Sequence, residues 1–209
     1  MSRATYLLMT ALLVLLFAML AGCGGGGSDD DNQPRQGAIG CYGDSILYTE
    51  CDALGRLGVK VRNLADGGGR LAEFAAATGR YSLALESDDA VAVIAFGTNE
   101  ARRFGAADNQ SPDQFEQTLR MVVRGLQSTG KRVVLETPPV LLTDRRAEAS
   151  EYGRRVRIIA AELSAQLCDR EQAFPGADSD DIPDMVHPGP EMTAANARSL
   201  KQCVELSQQ

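Results

Sequence analysis

Histidine is almost missing from this chain: His187 is the only one. That scarcity argues against a histidine-built metal centre, and no Cys-x-x-Cys spacing offers a thiolate alternative. The glycine run at 67–69 lacks the Gly-x-Gly-x-x-Gly fingerprint of a dinucleotide loop as well. Basic residues are in deficit, with 21 Lys and Arg against 28 Asp and Glu and a formal net charge of −7. An acidic body argues against nucleic acid as a partner, and against electrostatic adhesion to anionic lipid. No internal repeat is evident, so the pattern is that of one ordinary domain.

What is present begins with a segment outside that domain. Arg3 gives a positive start, and Tyr6 to Leu20 is apolar apart from Thr10. Small residues then lead into a cysteine, in Leu20-Ala21-Gly22-Cys23. This is the build of a secretory signal over residues 1–22. The cysteine makes it resemble the lipobox of a bacterial lipoprotein, which implies cleavage before Cys23 and acylation of that residue. An uncleaved anchor is the alternative, because the stretch approaches the roughly 18–20 apolar residues needed to span a bilayer. Either way the remainder is expected outside the cytoplasm, held to a membrane through its N-terminus. Gly24 after the cysteine favours, by analogy, the outer membrane and a periplasmic location. Residues 23–37 read as a lipidated tether rich in glycine and aspartate, unable to bury apolar surface. Residues 38–209 form the domain, expected as a monomer.

Four cysteines remain in it: Cys41, Cys51, Cys168 and Cys203. An even number in an exported chain favours disulfides, with three pairings open. The spacing suggests Cys41–Cys51 and Cys168–Cys203, each joining near neighbours.

Strand patterns fall at 38–42, 59–64, 90–96 and 132–136, the third a continuous apolar run of the kind buried on both faces. Helical patterns fall between and after them, at 46–57, 71–78, 112–128, 147–167 and 190–206. The alternation predicts an α/β/α sandwich on a parallel sheet of about five strands. Ligands in such folds bind beyond the carboxyl ends of the strands. Three motifs fall at those ends.

Gly43-Asp44-Ser45-Ile46 follows the first strand, and its glycine permits a sharp turn that would leave the Ser45 hydroxyl exposed at a helix start. Asp44 or Ser45 would equally serve there as a plain helix cap. Gly67-Gly68-Gly69 follows the second strand, where outward-pointing amides would suit an oxyanion, or the run is simply a flexible turn. Asn99, in Gly97-Thr98-Asn99-Glu100, offers a carboxamide donor or an ordinary turn residue. Arg102 and Arg103, just beyond, could meet an anionic substrate, although surface solvation is the simpler role. The fourth motif lies near the C-terminus. In Asp184-Met185-Val186-His187-Pro188 a carboxylate precedes the lone imidazole by three residues, and Pro183 and Pro188 stiffen the loop. A hydroxyl, an imidazole and an orienting acid are the parts of a nucleophilic triad.

Together these residues resemble the SGNH hydrolases, the GDSL esterase/lipase family, with the blocks in the family's order from about Ile39 to about Leu200. The resemblance implies the flavodoxin-like SGNH sandwich, with a nucleophile at Ser45, a base at His187 and Asp184 as its orienter. It implies oxyanion donors at the Ser45 and Gly68 backbone N–H groups and the Asn99 side chain. Gly68 is chosen because the family's glycine lies five residues beyond an asparagine, here Asn63, and the triple glycine leaves that choice open by one position. The family often has glycine where Ala65 stands and aspartate where Glu100 stands. The Gly-x-Ser-x-Gly elbow of the α/β-hydrolases is absent. The implied activity is carboxylic ester hydrolysis through an acyl-enzyme, with no metal or organic cofactor. No long insertion is present to form an apolar lid, so short acyl groups such as acetyl on glycans are the expected substrates. Small esters or lipids, lysophospholipase or thioesterase action, acyl transfer, and a non-catalytic glycan-binding role are the alternatives.

Overall fold

The computed structural model describes residues 37–76 and 79–209. The signal expected at 1–22, the acylation site Cys23 and the tether up to residue 36 lie outside the described residues.

Five parallel strands form the sheet: β1 (Ile39–Gly43), β2 (Val61–Asn63), β3 (Val91–Ala95), β4 (Arg132–Glu136) and β5 (Gln166–Cys168). Their order is β2-β1-β3-β4-β5, the flavodoxin-like winding whose direction reverses between β1 and β3. The central pairing is in register from Ile39↔Val91 to Gly43↔Ala95, so both strands end at one level. The helices are α1 (Ser45–Arg56), α2 (Leu71–Ala75), α3 (Arg80–Glu86), α4 (Thr98–Arg102), α5 (Pro112–Ser128), α6 (Arg146–Glu162), α7 (Arg170–Ala173) and α8 (Pro190–Ser207).

Side chains alternate across a strand, so β3 feeds two cores. Ala92 and Ile94 join Phe115, Leu119, Tyr152 and Ile159 on the α5–α6 side. Val91, Val93 and Ala95 join Leu47, Leu54, Leu200 and Val204 on the α1–α8 side. The continuous apolar run at 90–96 is thus explained by burial on both faces. α5 has a full start signal. Ser111 Oγ accepts from the Gln114 N–H at 3.3 Å, Gln114 Oε1 accepts from the Ser111 N–H at 2.9 Å, and Pro112 occupies the first turn.

Two sequence expectations need correction. The helix expected at 147–167 stops at Glu162, and its last residues become β5. Ser164 adopts φ 52°, and the Ala165 N–H returns to the Ala160 carbonyl at 3.0 Å. This is a Schellman-type stop, made without the glycine that usually marks it. The second helix, expected to reach Thr78, ends at Ala75, and Thr78 lies outside the described residues.

Both disulfides pair as the spacing suggested. Cys41–Cys51 ties β1 to α1, with Cα atoms 6.6 Å apart. Cys168–Cys203 ties β5 to α8 at 5.7 Å.

Candidate active site

β1 ends at Gly43, and the chain turns directly into α1. The Asp44 N–H donates to the Ala95 carbonyl at 3.2 Å, pinning the turn to the end of β3. Asp44 Oδ1 accepts from the Ile46 N–H at 3.0 Å and the Leu47 N–H at 3.4 Å. The capping role therefore belongs to Asp44, and the neighbouring Ser45 hydroxyl is left free for other work. Ser45 Oγ lies 2.9 Å from His187 Nε2, across 142 positions of sequence.

The opposite ring nitrogen, Nδ1, lies 2.6 Å from Asp184 Oδ2. A carboxylate there accepts the Nδ1–H, which leaves Nε2 as the acceptor facing the serine. Asp184 Oδ1 meanwhile accepts from the backbone N–H groups of His187 at 2.6 Å and Val186 at 3.0 Å. The His187 amide and then its ring hold the Asp184 carboxyl down to about 2, so it is charged at neutral pH. Met185 takes φ 66° with its side chain half exposed, and Val186 is buried in the α5–α6 core. That turn brings Asp184 and His187 together over two apolar residues.

The glycine run forms a tight turn. The Gly69 N–H donates to the Asp66 carbonyl at 3.0 Å, and Gly68 sits at φ 75°, the third position of a type II turn where glycine is favoured. Because the Gly69 N–H is used within the turn, it is unavailable to a ligand. The Gly68 N–H has no acceptor among the described residues, and Gly68 is exposed. Asn99 lies in the first turn of α4, and its Nδ2 donates to the Gly69 carbonyl at 3.0 Å. The turn and the carboxamide are thus one assembly, with a second N–H of that amide still available. Gly97 begins α4 at φ 118°, where a Cβ would come 2.6 Å from Pro138 Cγ, so a side chain there would displace Asn99.

Glu100 is the residue the sequence reading undervalued. It is buried, and its carboxylate accepts from the Leu71 N–H at 2.7 Å and the Gly97 N–H at 2.8 Å. Burial lifts it to about 7, against those two amide bonds. Glu100 therefore joins the start of α2, just after the glycine turn, to the start of α4. Its position next to Asn99 was visible, but nothing in the string announces the long-range amide partner. Arg103, by contrast, is taken by Asp108 at 2.7 Å, and Arg102 is exposed.

A cavity of about 550 Å³ opens beside the glycine turn, bounded by Gly43 and Gly69. The buried rings of Phe74 and Phe96 line it together with the charged Asp66, Arg70, Glu73 and Arg80. It adjoins the strand end that carries the serine but does not include Ser45 or His187.

The family model described as GDSL-like Lipase/Acylhydrolase family matches residues 41–195. No curated protein matches the chain. Among solved structures, the acetylxylan esterase Axe2 from Geobacillus stearothermophilus superposes with a TM-score of 0.63 at 18% identity, over 82% of this chain and 93% of that one. LAE5, an alpha/beta hydrolase enzyme from the metagenome of Lake Arreo, gives 0.61 at 16% identity over 82% and 94%. The acetyl xylan esterase AlAXEase gives 0.61 at 19% identity over 80% and 99%. At these identities the likeness is one of fold.

Proposed function

Because the chain belongs to the GDSL-like lipase/acylhydrolase family and is an ester-bond hydrolase, we propose that Ser45 is its nucleophile, His187 its base and Asp184 the acid that orients that base. The observation that carries this reading is the continuous chain from Ser45 Oγ to His187 Nε2 at 2.9 Å and from Nδ1 to Asp184 at 2.6 Å. Ser45 Oγ attacks the ester carbonyl carbon as its proton passes to Nε2. The oxyanion is met by the Ser45 and Gly68 backbone N–H groups and the Asn99 carboxamide. Nε2 then returns the proton to the leaving alcohol as the C–O bond breaks, and water repeats the sequence to free the acid.

The substrate class is a short acyl ester, acetyl above all, on a hydroxylated carrier such as a glycan. In support, the cavity beside the glycine turn sets aromatic rings next to charged side chains, a lining that offers a sugar both a ring face and hydrogen-bond partners. The acetylxylan esterases among the similar folds act on acetylated glycans, which agrees with this choice. The protein works outside the cytoplasm, anchored by lipid at Cys23. Two disulfides in the described residues accord with an oxidising compartment.

Fluorophosphonate labelling of the purified protein tests the nucleophile. Wild type should label, and Ser45→Ala should not; equal labelling of the two would remove Ser45 from the mechanism. p-Nitrophenyl esters of increasing chain length, alongside acetylated oligosaccharides, test the substrate class. Faster turnover of long-chain than of acetyl esters would overturn it.

A further inference from the structure

A second polar cluster, unused by this chemistry, lies between α1, α7, α8 and the end of β4. Glu50, Glu136, Arg170 and Asn196 are all buried, none more than 3% exposed. Arg170 Nη1 donates to both Glu50 oxygens, at 3.1 and 3.0 Å, and its Nε donates to the Thr137 carbonyl at 2.9 Å. Asn196 Nδ2 donates to Glu50 Oε1 at 2.8 Å. Glu136 comes no nearer to Arg170 than 3.8 Å, and neither of its oxygens has a hydrogen-bond partner.

One guanidinium therefore faces two carboxyl groups. Burial raises both carboxyls, Glu136 to about 8, and only Glu50 has hydrogen bonds from Arg170 and Asn196 to favour its charged form. A buried ion pair of this kind is weak evidence for stability, since apolar residues of similar volume often stabilise as well. Its placement supplies a better reason. Glu50 is on the helix that begins with Ser45, and Asn196 is on the helix that begins three residues after His187. The distance from nucleophile to base depends on how those two helices sit side by side.

We propose that Glu50 is a positioning residue: gripped by Arg170, it ties α1 to α8 through Asn196 and so sets the separation of Ser45 and His187. The proposal rests on the reading of those two residues as nucleophile and base. Displacements near 1 Å in a catalytic pair can cost on the order of a hundredfold in rate, so a partial slip should be measurable.

Asn196→Ala is the first test, because it cuts the link between helices and leaves the Glu50–Arg170 pair intact. kcat and KM for p-nitrophenyl acetate, the second-order rate of fluorophosphonate inactivation, and Tm would be measured together. Positioning predicts that kcat and the inactivation rate fall together, by roughly tenfold, with KM within twofold of wild type. Glu50→Gln, which keeps the side chain's shape, should give the same pattern and serves if Asn196→Ala does not fold. A folded variant with lowered Tm but both rates within twofold of wild type would overturn the proposal and leave the cluster a purely structural role. Ser45→Ala is run beside them. Labelling that persists there would fail the nucleophile reading itself, a result independent of any change in the cluster.

Discussion

Asp184 makes three contacts within its own loop, two to amides and one to the imidazole. An amide in its place would still fill the site but would offer an N–H where Nδ1 needs an acceptor. Asp184→Asn is therefore expected to lower kcat by about 10³–10⁴-fold with little change in KM, measured on p-nitrophenyl acetate. Asn99→Ala removes the carboxamide proposed to meet the oxyanion and should cost about 10²–10³ in kcat. Glu136 makes a different prediction, about stability. Its neutral form is the one the fold prefers, because burial lifts it from the ordinary 4.5 to about 8. The resulting stabilisation is complete below about pH 4.5 and is lost as pH rises through about 8. Because that loss is progressive between about 4.5 and about 8, Glu136→Gln should hold its Tm between about pH 5 and 8 while wild type declines, as thermal melts across that range would reveal. A parallel decline in both proteins would show that Glu136 is not the group responsible. Ser45, Asn99, Asp184 and His187 were legible in sequence because each stands beside a turn at a strand end or a proline. Glu50, Arg170 and Asn196 were not, since a polar residue within a helix reads as surface until the packing is known.

At the scale of elements, α5 buries Phe115, Leu119, Val122, Val123 and Leu126 on one stripe. Phe115 is fully buried and meets Tyr152 edge-on at 5.1 Å between ring centroids. Phe115→Ala should destabilise the protein by about 3–5 kcal/mol in urea melts, and a loss below about 1 kcal/mol would mean that α5 packs loosely there. α5 was readable to the residue because cap, proline and apolar period agree. α6 was not, because its stop depends on a left-handed Ser164 in place of glycine. β5 was lost with it, since Gln166 and Leu167 continue the helical pattern that begins at 147. α3 and α4 escaped because they are short, at seven and five residues. The fold class survived these omissions because the four strands read from the sequence, alternating with helices, already demanded a parallel sheet.

For the whole molecule, the two disulfides close loops of separation 10 and 35. On a chain-entropy account these contribute about 3 and about 4 kcal/mol. Reduction should therefore lower Tm sharply, and alkylation of the unfolded but unreduced protein should add no mass at these four cysteines. Four alkylated thiols would refute the bridges. The proposed anchor is tested apart from the fold. Cys23→Ala should move the protein from the membrane fraction into the soluble one while the purified enzyme keeps its turnover number.

The pairing of Ser45 with His187 also supplies a marker for folding. The two residues stand 142 positions apart and meet only through the fold. A chain in which β1, β3 and β4 have paired still lacks the contact of Ser45 with His187 until the loop leading into α8 docks. Recovery of ester cleavage during refolding would therefore report when the segment carrying His187 has docked beside Ser45.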